Sequence, residues 1–115
     1  MNRIVEIRSY TLQPGARPEF DRLVVEQSLP MLERWKVDVV SYGMSLHDER
    51  SCYLIRAYDN LEHRQASQDA FYGSAEWKDG PRDAILALIE DYTTVVVEMD
   101  ARAVEALRSG LPGTL

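Results

Sequence analysis

Residues 4–12 read IVEIRSYTL and residues 92–99 read YTTVVVEM. Both are rich in β-branched and aromatic types, so both read as strands. Side chains alternate strictly across a sheet, so each strand presents two different environments. On the first, Val5, Ile7, Ser9 and Thr11 share one face, and Ile4, Glu6, Arg8, Tyr10 and Leu12 share the other. On the second, Val95, Val97 and Met99 lie opposite Tyr92, Thr94, Val96 and Glu98. One face is apolar in both strands; the other mixes apolar residues with charge.

Outward from these strands the chain alternates in period. Pro14-Gly15 ends the first strand. Residues 18–34 place Phe20, Leu23, Val24, Gln27 and Met31 on one face of an amphipathic helix, with Pro30 expected to loosen its last turn. Residues 37–46, VDVVSYGMSL, and 51–58, SCYLIRAY, read as an antiparallel pair around the polar break 47–50. Asp59, with Glu62 three residues on, is the expected cap of a helix at about 61–72 whose apolar face is Leu61, Ala70 and Phe71. Ser74 starts a turn around Glu76 and Trp77. Gly80-Pro81 opens a helix to about residue 90, with Ala84, Ile85, Leu88 and Ile89 as its buried stripe. Residues 101–108 form a last short helix, and 110–115 are expected to fray.

The order is β-α-β-β-α-β with one extra helical turn, the ferredoxin-like α+β arrangement. Residues 1–100 form one domain, and 101–115 add a C-terminal helix and tail. Helices on one side of such a sheet leave the other side open. An open face of Val5, Ile7, Val95 and Val97 is costly, so a homodimer through that face is expected. Glu6, Arg8 and Tyr10 then lie beneath the helices. Buried charge there must either pair internally or line a wet cavity, and both readings stay open for Arg8. Both faces of 51–58 are largely apolar, which leaves Arg56 unplaced.

The 115 residues carry 13 Lys and Arg against 19 Asp and Glu, a net charge of −6. That field opposes nucleic acid and anionic membranes as partners. A single cysteine, Cys52, excludes an internal disulfide and a multi-thiolate metal site, and its apolar surroundings mark it as a small buried hydrophobe. The N-terminus lacks the pattern of a signal or transit peptide, and no apolar run has the roughly 18 residues of a membrane helix. A cytoplasmic location is therefore expected.

The segments IVEIRSYTLQPG, PEF, LPMLER, RAYDNLEHR and SAEWKD together resemble a single NIPSNAP domain, from about residue 4 to residue 99. The resemblance implies the dimeric α+β barrel superfamily, in which the sheets of two ferredoxin-like monomers close into a barrel across the dimer. That superfamily includes cofactor-independent monooxygenases, haem-degrading enzymes, lactone isomerases, polyketide cyclases and stress proteins. In the haem-degrading relatives a strand Asn, a helix Trp and an axial His form the site. Here Arg8, Phe71 and Pro81 stand at those positions, so haem is not expected. His47-Asp48-Glu49 and Glu62-His63 are clusters of consecutive residues, which rarely converge on one ion; no metal and no cofactor is expected. Gly-rich phosphate loops and the Gly-x-Ser-x-Gly elbow are absent from the sequence.

Glu6, Tyr10, Tyr42 and Tyr58 are the acid–base candidates by residue type. Arg8, Tyr10, Tyr42, Phe71 and Trp77 are the expected ligand-binding residues. An arginine beside aromatic rings suits a small aromatic or carboxylate-bearing molecule. Phe71 and Trp77 are equally the residue types that fill a core. Two functions follow as expectations. One is a dimeric small-molecule-binding protein with a pocket between sheet and helices, with cofactor-independent monooxygenase or isomerase chemistry within reach. The other is a non-catalytic, chaperone-like interaction module, which a closed core would favour.

Overall fold

Strand β1 (Asn2–Leu12) is central in a four-stranded antiparallel sheet ordered β2-β3-β1-β4. The computed structural model of the protein describes residues 1–109. The fraying expected for 110–115 falls outside them. Around β1 the chain runs α1 (Arg17–Leu23), a π-helical segment (Val24–Ser28), α2 (Leu29–Arg34), β2 (Asp38–Met44), β3 (Ser51–Tyr58), α3 (Leu61–Tyr72), α4 (Ala75–Lys78), α5 (Arg82–Ala87), β4 (Ile89–Asp100) and α6 (Ala101–Ser109). This is the ferredoxin-like arrangement read from the two strand motifs. Gly15, at φ 76°, takes the left-handed turn that releases the chain from β1 into α1.

The expected regular helix over 18–34 is interrupted. The Leu29 N–H reaches back five residues to the Val24 carbonyl instead of four. Pro30, one residue on, has no N–H to offer, and the helix widens ahead of it. The wide turn takes up an extra residue and slips the helical phase. Gln27, expected on the buried face, is exposed, and Ser28 is buried in its place, followed by Met31 and Leu32.

Three other expectations need correction. The cap of α3 is Asn60, not Asp59: its side chain accepts the His63 N–H at 2.7 Å. Leu61 is 59% exposed and Ala70 is exposed, so α3 buries little apolar surface besides Phe71. Helix α5 ends at Ala87, and Ile89 is already in β4, opposite Leu12. Of its expected stripe, Ala84 is exposed and Ile85 alone is fully buried. Pairing with β1 extends the last strand at the expense of the helix, a tertiary override of local periodicity.

The two sheet faces are covered differently. Helices α1 to α5 lie on the face of Ile4, Glu6, Arg8, Tyr10 and Leu12, around a core that includes Phe20, Leu32, Phe71, Trp77 and Ile85. The opposite face is not bare. Helix α6 folds back across it, and Val104 packs on Val5, Val40 and Ala57. Val40 reaches that cluster because it is the extra residue of a bulge between Val39 and Ser41. Val5 is consequently 0% exposed within one chain, which removes it from the expected dimer face. Ile7, Ile55 and Val97 are partly buried at the edge of the cluster, and Val95 stays 54% exposed.

Candidate functional site: an arginine-floored cavity

The register of β1 against β3 sets Glu6 directly opposite Arg56. This settles the face of Arg56: it points under the helices and is almost wholly buried. Its Nε donates to Glu6 Oε1 at 3.0 Å, and its Nη2 donates to the same oxygen. From α3, Arg64 donates to Glu6 Oε2 through Nε at 2.9 Å and Nη2 at 2.7 Å, and Gln68 donates to that oxygen as well. Burial pushes the Glu6 carboxyl up, but Arg56, Gln68 and Arg8 outweigh it and hold it at about 2.

Arg8 is left in a different position. Its contact with Glu6 is 3.7 Å, longer than those of Arg56 and Arg64. Its Nε donates to Thr94 Oγ1 at 3.3 Å and its Nη1 to the Tyr72 hydroxyl at 3.4 Å, while the guanidinium lies 5.2 Å over the Tyr92 ring. Arg56 Nη1 donates to the same Tyr72 oxygen at 2.8 Å. A phenol oxygen that accepts two guanidinium N–H groups keeps its own O–H free to donate. Three guanidiniums thus gather within 4 Å of one carboxylate, an excess of two positive charges where α3 meets the sheet.

Between the sheet and the helices lies a cavity of about 470 Å³, which Arg8, Gln68 and Tyr72 of this cluster line. All five expected binding residues, Arg8, Tyr10, Tyr42, Phe71 and Trp77, line it. Their parts differ. Phe71 and Trp77 also belong to the core, with ring centroids 5.5 Å apart, so each serves both the packing and the wall. Tyr10 stacks at a tilt between Phe20 and Tyr92, and burial pushes its hydroxyl up to about 12. The Tyr42 hydroxyl donates to Asp21 Oδ1 at 2.9 Å, so it offers the cavity its ring. Lys78 and Arg82 add exposed cations to the wall. Among the described lining residues there is no carboxylate, imidazole or thiol.

The remaining acid–base candidates are otherwise engaged. Glu6 is held by its arginines. Tyr58 is buried and accepts from Gln68 at 3.4 Å. Cys52 is buried too, and burial pushes its thiol up to about 12, so it is protonated at neutral pH. No group of three or more His, Cys, Asp or Glu side chains placed to hold a metal occurs among the described residues. No helix among them is long and apolar enough to cross a membrane.

Sequence reasoning missed Arg64, Gln68, Tyr72 and Ser28. The first three stand four residues apart, a polar stripe along one side of α3, and that spacing was the available signal. Ser28 had no such signal, because its inward direction comes from the π segment.

The match to known proteins is strongest at the level of the family. A family model described as NIPSNAP matches residues 5–97. The chain belongs to the NIPSNAP family. Among solved structures, an uncharacterized NIPSNAP domain protein from Burkholderia xenovorans superposes with a TM-score of 0.76 at 21% identity, covering 85% of this chain and 95% of that one. A NIPSNAP family protein from Agrobacterium tumefaciens gives 0.80 at 17% identity, over 90% of each chain. A candidate antibiotic biosynthesis monooxygenase from Bordetella bronchiseptica gives 0.64 at 20% identity, over 87% of this chain and 97% of that one. At such identities these likenesses speak for the fold. Among curated proteins, none matches the chain.

Proposed function

We propose that this NIPSNAP protein binds a small organic anion with an aromatic or otherwise apolar body in the cavity between sheet and helices. The observation that carries the reading is Arg8, the outlying member of a cluster of three guanidiniums around one carboxylate, lining a cavity whose described wall holds no acid. A chain of net charge −6 thus carries a local excess of positive charge here. A carboxylate or phenolate seated against Arg8 and the Tyr72 O–H would offset that excess, and the aromatic wall suits a flat body. A cavity of about 470 Å³ is of ligand-binding size. It also favours this reading over a closed-core interaction module.

Isomerisation through an enolate is supported by the same pair of donors, which would stabilise a developing oxyanion. The described wall has no carboxylate or imidazole to take a proton, which makes binding the reading carried furthest.

Titration calorimetry with naphthoate and its neutral, nearly isosteric naphthamide tests the binding reading. Naphthoate should bind and naphthamide should not. Arg8→Met should abolish naphthoate binding while leaving the protein folded, because Glu6 keeps Arg56 and Arg64. Equal affinity for acid and amide would refute the anion site.

A homodimer through the open part of the back face, around Ile7, Ile55 and Val95, is part of the same proposal. The exposed Val95 beside the partly buried Ile7 and Ile55 supports it. Val95→Lys should leave the monomer fold intact and shift sedimentation to a single-chain species. A wild-type protein that sediments as a monomer at micromolar concentration would refute it.

A further inference from the structure

We propose that Ser28 is a second polar contact of the ligand site, so that the ligand carries a hydroxyl or carbonyl on its apolar body at a distance from its anionic group. This rests on the reading of the cavity as an anion site and adds the other end of the molecule.

Ser28 Oγ is the one buried side-chain polar atom without a hydrogen-bond partner among the described residues. The residue is 8% exposed and lines the cavity. A serine in a helix ordinarily bonds back to the carbonyl four residues earlier. Here that carbonyl belongs to Val24, and Ser28 Oγ makes no bond to it. The nearby lining residues from the same helical stretch are Val24, Leu29 and Leu32, which have no polar side-chain atom to offer. A buried hydroxyl left in this state is destabilising, and such groups call for an explanation.

The backbone supplies one. The π segment turns Ser28 inward where an unbroken helix would turn Gln27, and π segments occur often at functional sites. Arg8 rises from the sheet and Ser28 descends from the helical layer. A flat ligand held between the two layers would meet its anion partner on one and a hydroxyl on the other.

The test is calorimetry on wild type and Ser28→Ala, using naphthoate and hydroxynaphthoates with the hydroxyl at different ring positions. At least one hydroxynaphthoate should bind wild type about fivefold more tightly than naphthoate, the scale of one neutral hydrogen bond. Ser28→Ala should erase that gain and leave naphthoate affinity within about twofold, since the parent acid makes no use of the hydroxyl. The ligand-free variant should melt no lower than wild type, since the hydroxyl has no partner to lose. The proposal is overturned if no isomer gains, if the gain survives in Ser28→Ala, or if the free variant melts lower. Failure of naphthoate itself to bind would instead overturn the anion reading, and the role of Ser28 with it.

Discussion

Val5 and Glu6 are neighbours in the chain and both are 0% exposed, but opposite physics holds them. Val5 faces Val40, Ala57 and Val104, a small apolar cluster closed by the last helix. Glu6 faces Arg56, Arg64, Gln68 and, at a longer distance, Arg8. Burial on the first face is favourable for each side chain separately. On the second it is tolerable only for the group as a whole, because a lone buried charge is far more expensive than one that is paired and hydrogen-bonded. The apolar face can lose a methyl group and relax. The polar face cannot lose its carboxylate without leaving arginines facing one another.

That contrast sets the expected size of each perturbation. Glu6→Leu should be the most damaging, costing about 3–5 kcal/mol in urea denaturation, because Arg56 is then buried without its counter-ion. A cost as small as that of an ordinary core substitution would erase the distinction between the faces. Acid should act next. The Glu6 carboxyl is held at about 2, below its ordinary value of 4.5, so its contribution is complete above pH 4.5 and disappears as the pH falls toward 2. The depression corresponds to up to about 3 kcal/mol at neutral pH. Wild type should therefore lose its stability advantage over Glu6→Gln across that window, read from unfolding midpoints at each pH. Val104→Ala, on the apolar face, should cost about 2 kcal/mol, and hydrogen exchange should show the loss concentrated in α6 and β2. Smallest is Arg8→Met, at about 1 kcal/mol or less, because Arg8 is the outlying member of the cluster and Glu6 stays neutralised. A loss for Arg8→Met as large as for Glu6→Leu would place Arg8 within the structural set and remove it from the ligand site.

These faces were unequally legible in the sequence. β1 and β4 announce their alternation, so the apolar face and the inward direction of Glu6, Arg8 and Tyr10 could be read directly. The segment Ser51–Tyr58 could not be phased, because Cys52, Leu54 and Tyr58 on one side and Tyr53, Ile55 and Ala57 on the other are equally plausible in a core. Arg56 is settled by its pairing opposite Glu6, a contact 50 residues away in sequence that no local pattern contains. The cover over Val5 was missed for a related reason. α6 reads as a terminal helix, and nothing in its own residues says on which side of the sheet it will pack. Ser28 is the clearest failure of periodicity: one widened turn ahead of Pro30 exchanges it for Gln27.

The strand order carries a consequence for how the protein is made. Of the four strands β1 is made first, yet its two neighbours are β3 and β4, the third and last. β1 must therefore wait, unpaired, until Ser51–Tyr58 is made. Pairings so distant in sequence make the sheet slow to close. A waiting segment of alternating β-branched residues is a hazard for association with other nascent chains, and charges within such a segment act as gatekeepers. Glu6 and Arg8, interrupting IVEIRSYTL, would keep the unfinished chain soluble before they find their places beneath the helices.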